Sequence, residues 1–349
     1  MLTVLFINTI SFYLFLRCFI NIHKRIPSKI YWLICFFLII IVAFRGPIDQ
    51  DYGSYVETLN DSNSYTISEP TFILFRWIVN LFSLPNVTLF LIYAFCGISL
   101  KFIAIRKYSE LEIVSLLIYF SNILLLHDIT QIRAGVASAL LLLSLDYLYH
   151  KKYKQYIFII LIATLFHYSS LGAILLLLIS SSSLKKKKHI YIWGIIPVLG
   201  LFFHLTNNYF NAISLIPIES IRIKMEMYKA LEEKGVEGFS QVNLFNPYFI
   251  FKLCIFYFLF FYRKYFSSYP KFIFYLKIFG ISLFLFHSLS AITPLLGYRM
   301  SEYVGVIEIF LIPYCFLLFK TKKQKFLMIS AYYILLASIN IFYKKLIII

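Results

Sequence analysis

Acidic side chains are scarce in this sequence. Asp and Glu number 16 against 33 Lys and Arg, and all charged residues together make up 14% of the 349. A soluble domain carries about 25%, so the polar surface of a soluble globule is missing. Cysteine is sparse as well. Cys18, Cys35, Cys96, Cys254 and Cys315 each sit inside an apolar run, none at paired spacing. That excludes a disulfide framework and a zinc site, and leaves small apolar packing residues. There is no Gly-x-x-x-x-Gly-Lys-Ser/Thr loop and no Gly-x-Gly-x-x-Gly turn, so nothing argues for ATP or a dinucleotide. A Gly-x-Ser-x-Gly elbow is also lacking. No long polar linker divides the chain, which reads as one domain over 1–349. No internal repeat is visible, which argues against transporters built from inverted halves. Alternation of apolar and polar residues over strand-length segments is missing too, and this excludes a β-barrel.

What is present is apolar. Hydrophobic residues make up 61% of the chain, gathered in runs of about 15–22 residues, the length that crosses a hydrocarbon core. The expectation is an all-α polytopic membrane protein with about 11–12 transmembrane helices, some of them short, paired or re-entrant. The run Leu2–Ile20 has no basic segment before it and no small-residue cleavage site after it, so it reads as a retained helix.

The net charge of +17 points to topology rather than to nucleic acid. Basic residues cluster at 23–29, 101–107, 150–154, 185–189, 263–271 and 320–325, and the positive-inside rule places these loops in the cytoplasm. Segments 46–69 and 207–246 then form the outer loops. Residues 220–238, stopped by Gly235 and Gly238, read as an amphipathic outer helix. The stretch 70–84 is bounded by Pro70 and Pro85, and parity keeps it at the outer face or re-entrant. The stretch 155–183 begins and ends at basic loops, so it goes out and returns, turning near "FHYSS" (166–170). Spans are further expected at 271–292, 302–319 and 326–342.

Three arginines are not explained by topology: Arg45, Arg133 and Arg299 all stand at outer helix ends, where arginine is normally depleted. Charged groups at membrane depth usually face a cavity and mark a substrate path, and the guanidinium fork binds phosphate bidentately. The alternative is a side chain that snorkels to headgroups. Arg133 is followed by Ala134, Gly135, Ala137, Ser138 and Ala139, small residues that favour close helix packing. His167 stands at the expected outer turn beside Ser169 and Ser170, and histidine suits general acid–base work. A core histidine with one hydrogen bond is the plainer reading. Asp49 and Asp51 form an Asp-x-Asp pair that suits a divalent cation, although a solvated turn is the simpler account.

These residues fall into a pattern. "RGPIDQDYGSY" (45–55) is followed by "EPTF" (69–72), by "QIRAGVASALLLLSLDYLYHKKYKQYIFIILIATLFHYSSL" (131–171), and by a late "YRMSEY" (298–303). The sequence resembles the EpsG family, Wzy-type polysaccharide polymerases of bacterial inner membranes. The block 131–171 is the specific part, and the C-terminal half matches in topology and around Arg299. The resemblance implies a glycosyltransferase that joins oligosaccharide repeat units on undecaprenyl pyrophosphate at the periplasmic face. Pyrophosphate contacts then fall to Arg133, Arg299 and Arg45, and sugar contacts to Gln131, Tyr52, Glu69 and Tyr298. His167 is the candidate base and Asp51 the alternative. No cofactor is implied, and a divalent metal is optional. The implied partners are the lipid-linked oligosaccharides, membrane lipids and a chain-length regulator, with no nucleic acid. Rival readings are an O-antigen ligase-like transferase, a lipid-linked oligosaccharide flippase, and a multipass acyltransferase.

Overall fold

The computed structural model describes residues 2–60, 69–181, 184, 187–205, 246–291, 293–344 and 346, with isolated positions between 223 and 234. The elements among them are helices, with no β-strand. Seven of these helices are long and apolar enough to cross a membrane: Val87–Tyr108, Glu112–Thr130, Ile132–Tyr149, Lys187–Leu205, Phe272–Leu289, Pro294–Leu318 and Lys322–Tyr343. Large apolar side chains such as Phe12, Phe36, Trp77 and Phe158 are exposed on the helix exteriors, as lipid rather than water requires. The protein is an all-α polytopic membrane protein. The amphipathic helix expected at 220–238, and most of the 207–246 loop, lie outside the described residues.

In chain order the helices are α1 (Leu2–Ile20), α2 (Ser28–Ala43), α3 (Tyr52–Asn60), α4 (Pro70–Leu81), α5 (Val87–Tyr108), α6 (Glu112–Ile118), α7 (Ile132–Tyr149), α8 (Tyr153–Phe166), α9 (Lys187–Leu205), α10 (Pro247–Phe261), α11 (Phe272–Leu289), α12 (Pro294–Gly305) and α13 (Lys322–Ser338). Between α6 and α7 the chain winds as a π-helix over Tyr119–Thr130, and after α8 it forms a 3-10 helix over Tyr168–Leu178. Two compact units result. One comprises Met1–Ile174 with Glu308–Ile349, the other Leu175–Ile307.

Within the first unit the basic loops gather at one end. The Arg106 guanidinium donates to the Ile26 carbonyl at 2.9 Å, and the Ile26 amide donates to Glu112 at 2.8 Å. Lys322 reaches the Ile20 carbonyl at 3.3 Å. The basic segments 23–29 and 320–325 and the Arg106 end of α5 therefore share a face, as the charge pattern predicts. The opposite end of the same unit holds the starts of α4, α5 and α7 and the end of α8.

Two short elements at that opposite end have physical reasons. Helix α4 has 12 residues, about 18 Å at 1.5 Å per residue, too short to cross. It lies at the end away from the basic loops, with Phe72 and Phe75 against Tyr93 of α5 and Phe75 against Phe166 of α8. Helix α8 ends at Phe166, and the chain turns at His167 and runs back, so that Tyr156 donates to the Ala173 carbonyl at 2.6 Å. This is the expected hairpin of two short helices.

Two boundaries differ from expectation. Lys101 is not in a loop. Helix α5 continues past it to Tyr108, and the side chain is wholly buried. Its ammonium is neutralised by Asp128 at 2.8 Å, which a sequence reading of adjacent lysines and arginines cannot see. The helix expected from 302 begins instead at Pro294, because Thr293 caps it by accepting from the Leu296 amide and Pro294 has no N–H to lose. Arg299 therefore lies inside α12.

Candidate functional site

Glu69 is positioned by its neighbour. A residue before proline is driven into the extended region, and Glu69 has φ −67° and ψ 133° with Pro70 as the first residue of α4. Its carbonyl accepts from the amides of Phe72 and Ile73 at 3.0 and 3.1 Å, so the backbone of "EPTF" is fixed. Phe72 is fully buried and packs against Tyr55 and Tyr93. The carboxylate is left pointing at two cations or potential cations. The Arg133 guanidinium donates to Oε2 from the first turn of α7, and His167 Nδ1 lies 3.4 Å from Oε1.

The electrostatics follow from this arrangement. Burial works to raise the Glu69 pKa, but the His167 hydrogen bond and the Arg133 charge outweigh it and hold the carboxyl down at about 2. An ionised carboxylate only accepts, so the facing His167 nitrogen is the one that carries hydrogen. In the neutral ring the lone pair is then on Nε2. Tyr55 lies under Arg133, with the guanidinium 5.7 Å from the ring centroid. Arg133 Nε is buried and has no hydrogen-bond partner among the described residues, while the side chain as a whole keeps 17% of its surface open. Ser170 Oγ, one turn after His167, is also buried without a partner among the described residues.

The other candidates are placed differently. Arg45 is fully enclosed. Its Nε donates to Asp49 at 2.9 Å, one Nη donates to the Val42 carbonyl at 3.1 Å, and the guanidinium lies 4.6 Å from the Phe90 ring centroid. Asp49 uses its second oxygen to accept from the Asp51 amide at 3.1 Å. Both Asp49 oxygens are thus occupied within a turn, but the turn is buried rather than solvated at Asp49. Asp51 and Tyr52 are half-buried at the start of α3, with Tyr52 stacked on Phe90 at 4.7 Å. Gln131 is half-buried at the junction of the π-helix and α7, and its carbonyl accepts from the Gly135 amide at 2.9 Å.

The second unit carries Tyr298 and Arg299, both half-buried on α12. The Tyr298 hydroxyl accepts from Asn246 at 3.0 Å. The residues that the first unit brings together are therefore Glu69, Arg133 and His167, with Tyr55 beneath. Tyr55 has no contact role in the sequence reading, and its signal is the second tyrosine of "DYGSY", three residues after Tyr52 on one helical face.

Residues 28–347 match the model of the EpsG family. This chain belongs to the EpsG family. The match spans both units and every candidate site residue. Searches of curated proteins and of solved structures gave no match. As an EpsG-family chain it is a membrane protein of polysaccharide biosynthesis.

Proposed function

We propose that the protein is a polysaccharide polymerase of the bacterial inner membrane. In this reading it joins undecaprenyl-pyrophosphate-linked oligosaccharides at the periplasmic face. The observation that carries the reading is the Glu69–Arg133–His167 cluster, placed at the end of the first unit away from the basic loops. An acceptor hydroxyl forms the new bond to the anomeric carbon of the donor glycan. The bond from that carbon to the diphosphate oxygen breaks, and its electron pair leaves with undecaprenyl diphosphate. His167 Nε2 takes the hydroxyl proton, and Glu69 holds the ring in the tautomer that can do so. Arg133 offers the edge of its guanidinium that stays open to the departing diphosphate. The Tyr55 face holds the guanidinium at this edge while Glu69 fixes the other.

Asp51 is the less suited base, since its amide is tied to the Asp49 turn, whereas His167 is oriented by Glu69 beside Arg133. Arg45 has a supporting part, because its side chain is fully enclosed, with its face on Phe90 and its Nε on Asp49.

The test is repeat-unit polymerisation in a strain lacking its own polymerase. Arg133→Ala and His167→Ala, expressed at normal levels, should leave single repeat units in place of long chains. Each is expected to cost on the order of 10²-fold or more in rate. Normal chain length in both variants refutes the assignment.

A further inference from the structure

A second ionic cluster lies deeper in the first unit, out of reach of any solute. Lys101 of α5 and Asp128 of the π-helix are 2.8 Å apart, with side chains 0% and 1% exposed. The Tyr119 hydroxyl donates to the other Asp128 oxygen at 2.8 Å. Lys101 Nζ also donates to the Gly135 carbonyl in α7 at 2.7 Å, and Ser138 donates to the same carbonyl at 2.9 Å. Gly135 is two residues beyond Arg133.

The winding of the chain is required for this cluster. Tyr119 and Asp128 are nine residues apart. At 3.6 residues per turn that is 2.5 turns, which puts them on opposite faces of an α-helix. With i→i+5 bonding and about 4.4 residues per turn, nine residues make close to two full turns, and both side chains share a face. The π winding over Tyr119–Thr130 therefore brings the phenol to the carboxylate.

The space is also built. A Cβ at Gly97 would stand 2.6 Å from Asp128 Oδ1, and one at Gly135 would stand 2.9 Å from the His127 carbonyl and 3.0 Å from Asp128 Oδ1. Glycine at both positions lets α5, the π-helix and α7 close around the pair.

We propose that Lys101 and Asp128 are positioning residues for Arg133. The ammonium ties the carbonyl of Gly135 to α5 and to the π-helix at once, so the first turn of α7 has one register, and the guanidinium stands over Tyr55 and against Glu69. This inference rests on the function proposed for Arg133. It also makes a claim about where Arg133 stands that needs no substrate.

The experiment compares wild type with Lys101→Met/Asp128→Asn in the purified full-length protein. The double variant removes both charges, so no unpaired ion is left buried. Two readouts are taken. One is the Arg133 Nε–H signal in spectra of arginine-labelled protein without substrate, assigned by its loss in Arg133→Lys. The other is KM and kcat for the lipid-linked donor. The expected result is a folded double variant whose Arg133 signal moves toward that of solvated arginine. Its KM should rise about tenfold while kcat changes less. A folded double variant with signal and KM unchanged overturns the proposal. Tyr119→Phe, which removes one hydroxyl and adds no charge, keeps the test decisive if the double variant does not fold. Its Arg133 signal should shift in the same direction, and an unmoved signal overturns the proposal. Normal polymerisation by Arg133→Ala refutes the functional reading alone, and the substrate-free signal still decides the positional claim.

Discussion

Two of the arginine–carboxylate pairs in the first unit differ in kind. Arg45 and Asp49 are four residues apart and fully enclosed, with both side chains at 0% exposure. Arg133 and Glu69 are 64 residues apart, and the guanidinium keeps part of its surface open. Burial dominates at Asp49 and raises its pKa even though Arg45 is beside it. At Glu69 burial is overcome, because His167 adds a second favourable contact to that of Arg133, and the pKa falls to about 2. Each guanidinium has one buried nitrogen without a partner among the described residues, so what separates the pairs is access. The first is sealed, and the second keeps part of its guanidinium open beside an oriented imidazole.

The sharpest way to break this comparison is to remove one carboxylate from each pair. Glu69→Gln keeps the shape and loses the charge that orients His167. It should fold normally and lose about 100-fold or more of polymerising activity. Asp49→Asn leaves the Arg45 charge buried and unpaired, at a cost of about 3–5 kcal/mol. Its effect should appear in thermal unfolding and expression, with little change per folded molecule. The reverse outcome, a stable and inactive Asp49→Asn beside an unstable and active Glu69→Gln, would exchange the roles given to the two pairs.

A smaller effect tests the third, deepest pair. Gly97→Ala puts a methyl 2.6 Å from Asp128 Oδ1. The helices must part or the carboxylate must turn, at about 1–3 kcal/mol. Thermal unfolding of purified Gly97→Ala measures this. Full stability would mean that α5 and the π-helix are less closely fitted than the structure shows.

Much of this was legible in the chain. The basic loops give the direction of each helix, and "EP" and "FH" mark the two turns that deliver Glu69 and His167. Lys101 was not legible, because next to Arg106 and Lys107 it reads as one more loop cation. Its burial depends on a carboxylate 27 residues away, brought to it by a π winding that leaves no periodic signature in an apolar run. The small residues after Arg133 set it apart from Arg45 in the sequence, but the partner each finds is decided in space.

The pH dependence of Glu69 gives the smallest expected effect and the most direct check on its surroundings. Its pKa is depressed from the ordinary 4.5 to about 2. The stability it contributes through ionisation is therefore complete above about pH 4.5, where the unfolded chain is also ionised, and is lost only as pH falls through about 2. From pH 5 to pH 8 the difference in melting temperature between wild type and Glu69→Gln should stay constant. A wild-type advantage that shrinks as pH rises in that range, and does so also when His167 is replaced by Gln, would show the carboxyl titrating there with a raised pKa. In that case burial outweighs Arg133 and His167 at Glu69 as it does at Asp49, and the distinction between the open and the sealed pair disappears.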